Sequence, residues 1–170
     1  MVIPNKLPMI ETLLKSLLII TFLVIFWQDT RDRLVYWFLY PLVGSLAVGI
    51  QVLQIGYASA LINSIINLVF ILLLVSVSFL YSKIIMKRRF VNESIGLGDI
   101  LMFVFLCFTF ATVAFFIVFI FALLFSLVLH LYFKKKSTHN NVPLAGYIAV
   151  FFAAVYLVSF FIEPKYLFAY

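Results

Sequence analysis

From Ile100 to Phe133 the chain runs for 34 residues without one Asp, Glu, Lys or Arg. As a single helix this stretch would be about 50 Å long, well beyond a bilayer core of about 30 Å. It is expected to fold as two helices in a tight hairpin. The turn is placed near Thr109 to Ala114, where two threonines and two alanines interrupt the Phe-rich run. Four further apolar runs, Leu13 to Gln28, Val35 to Ile55, Ala58 to Ser82 and Pro143 to Ile162, have the length of single spanning helices. Hydrophobic residues make up 66% of the chain and charged ones 11%, whereas soluble domains carry roughly 45–50% and about 25%. Water is therefore not the solvent that this sequence suits. The fold class that follows is all-α, a polytopic membrane bundle of about six transmembrane helices (near 12–28, 35–55, 58–82, 99–111, 114–133 and 143–162) forming one domain over 1–170 in a lipid bilayer.

The formal charge of +6 sits in short gaps between the apolar runs. That distribution speaks of membrane topology and not of a nucleic-acid partner. Six helices with an outside N-terminus put Arg31, Arg33, Lys83, Lys87, Arg88, Arg89, Lys134, Lys135 and Lys136 on the inner side, leaving Lys6, Lys15 and Lys165 elsewhere. A five-helix count would place the Lys134 to Lys136 run outside, against the usual bias. The expected location is thus the inner (plasma) membrane, multi-pass. Thr12 to Trp27 has the flanks of a signal peptide but no small-residue cleavage site, so it reads as a retained first helix. Cys107, the single cysteine, lies inside an apolar run and reads as a small core residue.

Six acids are present: Glu11, Asp29, Asp32, Glu93, Asp99 and Glu163. Asp29 closes the first apolar run and Asp99 opens the fourth, so the topology above sets both at the same inner depth. Two carboxylates close together in a low-dielectric site do not both ionise easily. One then keeps a proton while the other activates water, which is the division of labour of aspartic proteases. Asp99 follows Gly96-Leu97-Gly98, where missing side chains allow a kink or a close backbone approach. The plainer reading is a helix-entry turn, with Asp99 favoured near the N-terminus by the helix dipole.

Gly96-Leu97-Gly98-Asp99 resembles the GxGD signature shared by type IV prepilin peptidases, archaeal preflagellin peptidases and presenilins. Asp29 to Val35 is similar to the first prepilin-peptidase motif, an Asp at a helix end with Arg four residues on, here Arg33, and then an aliphatic residue. Val142-Pro143-Leu144-Ala145-Gly146 resembles the Pro- and Gly-containing start of that family's last core helix, so the likeness spans nearly the whole chain. Presenilins are longer and differ in helix count. The resemblance implies an aspartic endopeptidase with Asp29 and Asp99 catalytic, Gly96 and Gly98 giving substrate access, and Arg33, Pro143 and Gly146 in support. It also implies an active site facing the cytoplasm and a membrane-inserted prepilin-like protein as substrate, as in type IV pilus and secretion systems. No cofactor is expected.

Two departures stand out. Tyr36 and Trp37 occupy positions where the family usually has Pro and Asn or Asp, and Leu101 stands where bacterial members usually place Lys. The missing lysine points to altered substrate choice, a divergent branch or an inactive relative. The paired-cysteine segment that accompanies methyltransferase activity is also missing, so cleavage without N-methylation is expected. Asp32 competes with Asp29 but fits the Arg spacing worse and reads as a solvated partner of Arg31. Glu93 reads as a loop acid, or else as a contact for a basic leader. His130 and His139 have no second ligand at metal spacing, and no metal is assigned. Tyr36, Trp37, Tyr40, Tyr132, Tyr156, Tyr166 and Tyr170 read as interfacial anchors, and Ser59, Asn63, Ser64 and Asn67 as a polar helix seam. The alternative from another class is a small proton-coupled transporter or channel using the same two acids as relays. The apolar fourth and fifth helices offer it no polar path.

Overall fold

The computed structural model describes residues 7–86, 96–133 and 143–168. These residues form an all-helical bundle: α1 (Leu7–Arg31), α2 (Leu39–Ile55), α3 (Tyr57–Tyr81), a π-helical turn Ser82–Met86, α4 (Leu97–Leu106), α5 (Thr112–Phe133), α6 (Leu144–Val158) and a single turn α7 (Lys165–Phe168). Lys6, Lys87, Arg88, Arg89, Glu93, Lys134, Lys135, Lys136, His139 and Tyr170 lie outside the described residues, so the expectations resting on them do too.

Three segments among the described residues are long and apolar enough to cross a membrane: Met9–Arg31, Tyr57–Ile84 and Thr112–Phe133. α2, α4 and α6 are apolar but shorter, at 17, 10 and 15 residues. Helix length therefore supports three spans where the sequence suggested about six. The outer faces of α3 and α5 expose Leu61, Ile65, Leu72, Ile117, Ile120 and Leu124, a surface that lipid tolerates and water does not. α1 packs most extensively on α6 and then on α2, while α6 also leans on α5.

Boundaries differ from expectation for local reasons. α1 runs three residues beyond Gln28 and closes in Asp32, followed by Arg33 at φ 56, the left-handed position with which many helices end. The chain then stays irregular to Phe38, where the Gln28 side chain accepts a hydrogen bond from the Tyr36 amide (3.1 Å). α2 and α3 are separated by Gly56 alone. Its φ of 80 is cheap for glycine and strained for any residue bearing a Cβ.

The long uncharged run divides at 107–111, overlapping the expected turn, without Gly or Pro. Ten residues of α4 rise only about 15 Å, half the hydrocarbon thickness, so the turn's carbonyls need partners from within the protein. Asn67 supplies two hydrogen bonds, its side-chain amide donating to the carbonyls of Cys107 (3.0 Å) and Phe110 (3.1 Å). The Tyr156 hydroxyl donates to the Thr109 carbonyl (3.1 Å), and the Ala111 amide donates to the Leu167 carbonyl of α7 (3.0 Å). Phe110 stacks on Tyr156 with ring centroids 4.9 Å apart and meets Phe152 and Phe168 as well. Tyr156 is thus a wholly buried strut and not an interfacial anchor; Tyr36, Trp37, Tyr132 and Tyr166 do lie exposed. Within the predicted seam, Ser64 and Asn67 are buried, Asn63 is half-buried and accepts from Thr112, and Ser59 faces outward. Cys107 is buried in the core.

Asn67→Leu removes both donors from buried carbonyls while keeping the volume. It is expected to lower unfolding free energy by about 1–3 kcal/mol, read as a reduced midpoint in detergent-solubilised unfolding. Asn67→Asp, which keeps shape but not the amide donors, should be no better.

Candidate active site

α6 begins abruptly. Pro143 is its N-cap, at φ −76, and carries no side chain that could accept from the helix's opening N–H groups. Those donors are met from elsewhere. The Ala145 amide donates to Oδ1 of Asp99 (2.8 Å), and the Gly146 amide donates to Oδ2 of Asp29 (2.6 Å). The partners are consecutive residues, so two carboxyls 70 positions apart in sequence converge on one helix end. The positive pole of α6 faces them both.

Each acid is placed by its own helix. Asp29 stands in the last turn of α1, the helix that packs most extensively on α6. A Cβ at residue 146 would lie 3.0 Å from Asp29 Oδ2 and 3.4 Å from the Phe26 carbonyl oxygen. Glycine at 146 is what lets the two backbones come that near. Asp99 is the third residue of α4, and its Oδ2 accepts from the amide of the N-cap Gly96 (3.2 Å), while Oδ1 reaches across to α6. The helix-entry arrangement weighed from the sequence is therefore present, and the same carboxylate also joins the interhelical contact.

Neither Gly96 nor Gly98 uses a positive φ; the described residue glycines that do amount to Gly56. Gly98 serves a close approach instead. A Cβ there would sit 2.6 Å from the hydroxyl oxygen of Tyr40. Tyr40, in the first turn of α2, is 2% exposed and interacts electrostatically with both Asp29 and Asp99. It is a residue that the sequence reading grouped with the interfacial aromatics. Its inward position was nonetheless marked: Tyr40, Val43, Ala47 and Ile50 recur at three- and four-residue steps and are all buried.

The Arg33 guanidinium lies within electrostatic reach of both carboxylates. Its Nη1 is buried and, among the described residues, has no hydrogen-bond partner. Leu101 lies at the surface, and positions two apart on a helix do not face each other, so a lysine there would look away from Asp99. Asp32 is exposed with Arg31 beside it at 3.7 Å, outside the cluster. His130 is half-buried near the end of α5. Pro143 is buried at the head of α6, next to the two acids.

The far end of α1 holds a second polar feature that the sequence did not disclose. Lys15 is 3% exposed, paired with Glu11 at 2.8 Å and near the Ser159 carbonyl at 3.4 Å. It is fully engaged in tying α1 to the end of α6. Comparison with known protein families, characterised proteins and solved structures yields no match.

Asn retains an acceptor oxygen, whereas Ala does not. Asp29→Asn and Asp99→Asn are expected to leave the unfolding midpoint in detergent close to wild type, while Asp29→Ala and Asp99→Ala each lose about 1 kcal/mol through the uncapped α6 amides. Gly146→Ala should also destabilise, since its methyl group must push α1 from α6.

Proposed function

We propose that this chain is a membrane aspartic endopeptidase of the prepilin-peptidase kind, cleaving the leader of a membrane-inserted, prepilin-like protein at the cytoplasmic face of the inner membrane. The observation that carries this reading is the convergence of Asp29 and Asp99 on consecutive amides of α6. The GxGD-like Gly96 to Asp99 segment and the Asp29–Arg33 spacing favour the same family. In the orientation proposed, α1 to α6 make six membrane passages, with the shorter helices thinning or tilting to do so, and Arg31, Arg33 and Lys83 face the cytoplasm.

The chemistry is hydrolysis without a covalent intermediate. One carboxylate, ionised, takes a proton from a water molecule as its oxygen attacks the scissile carbonyl carbon. The other, protonated, gives its proton as the C–N bond breaks and the amine departs. The α6 amides hold the carboxyls in place, so little reorganisation accompanies the transfer. Arg33 offsets the negative charge that the pair would otherwise concentrate in a region of low dielectric.

The same hydrogen bonds support a second reading, in which both acids act only as remote caps of α6 in a hydrolytically silent relative. Asparagine variants separate the two. Co-expression with a tagged prepilin-like protein should give leader removal by the wild type and none by Asp29→Asn or Asp99→Asn, with all three chains folded and inserted. Processing at the wild-type rate by either variant would overturn the peptidase reading and leave the capping role.

A further inference from the structure

Tyr40 poses a question that packing does not answer. Its side chain is almost wholly buried at the start of α2, and although its hydroxyl makes no hydrogen bond to another described residue, that oxygen is not one of the wholly buried unpaired polar atoms. Phenylalanine would fill the same space, so packing alone does not call for the hydroxyl. The hydroxyl is not at a random place in the core. A Cβ on Gly98, one residue before Asp99, would lie 2.6 Å from it, so any side chain at 98 would collide with it, and it stands in the field of both carboxylates.

The geometry points to Tyr40 as a third catalytic group of the centre, one whose hydroxyl donates a hydrogen bond to the scissile carbonyl oxygen. This inference rests on the peptidase reading above and adds to it the donor that two carboxylates lack. As water attacks, the carbonyl π electrons move onto oxygen, and negative charge grows there. A neutral O–H aimed at that oxygen stabilises the charge without surrendering its proton. The ionised carboxylate receives the proton of water, and the protonated carboxylate supplies the leaving nitrogen, so Tyr40 ends each turnover as it began. Gly98 acquires a reason of its own: it keeps clear the place where the phenol rests.

The test uses the full chain in detergent or liposomes, with the purified prepilin-like protein as substrate. Tyr40→Phe is expected to lower kcat about 100-fold, with KM and the unfolding midpoint little changed. Gly98→Ala should be impaired in the wild-type background. In the Tyr40→Phe background it should add little further loss, because the colliding oxygen is gone and the nearest ring carbon lies 3.7 Å from the added methyl. Asp-dependent cleavage with kcat unchanged in Tyr40→Phe overturns the tyrosine's role and leaves the aspartates'. Cleavage that persists in the Asp29→Asn and Asp99→Asn variants, or a wild type that cleaves nothing, overturns both. Should Tyr40→Phe unfold, 3,5-difluorotyrosine placed at 40 keeps the ring and alters the strength of the donor; a pH profile of kcat identical to wild type then rejects the assignment.

Discussion

A helix start is electrically and chemically incomplete, with amides that the helix itself does not satisfy. In this bundle the deficit at the head of α6 is made good by two carboxylates from other helices, Asp29 of α1 and Asp99 of α4. Much else depends on that exchange. α1 must run through its last turn to bring Asp29 forward, and residue 146 must lack a side chain for the helices to close. α4 must start at Leu97, with Gly96 as its N-cap, so that Asp99 occupies its third position and can face both that N-cap and α6. The opening proline completes the arrangement by offering no competing acceptor.

The opposite requirement governs the middle of the bundle. There the backbone turns between α4 and α5 through residues that are buried except for the half-buried Phe108, and carbonyls without a helical partner need donors from neighbours. Asn67 and Tyr156 provide them from α3 and α6, and α7 folds back to accept from Ala111. Among the described residues, polar side chains thus serve both places where the main chain is irregular or unfinished, and Lys15 and the Ser64–Gln51 pair add two further links between helices. Elsewhere the helices meet through Phe, Ile, Leu and Ala and present similar residues to lipid.

The sequence disclosed the helical class through apolar run length alone, and the division of Ile100 to Phe133 through the mismatch between its length and a bilayer. It also singled out Asp29, Asp99 and Gly146 as residues to watch. It did not disclose that the two acids share one helix end, because hydrogen bonds to backbone amides leave no mark on residue type. Tyr40 is harder to place, since an aromatic near a helix end fits both an interface and a core, and only its phase with Val43 and Ala47 separates them. Lys15 carries a charge that topology alone leaves without a role, although its spacing from Glu11 allows a buried i, i+4 pair. Span number was less legible, because apolar run length includes residues that the chain uses for turns and α2, α4 and α6 are shorter than the runs that hold them.

Translation delivers Asp29 first, Asp99 some 70 residues later, and the Ala145 and Gly146 amides last of all. During vectorial synthesis the early acids therefore wait without their donors until α6 has been made and has packed on α1. Maturation of the paired carboxyls is in this way tied to completion of the helical bundle, and a nascent or truncated chain ending before Leu144 leaves them unassembled.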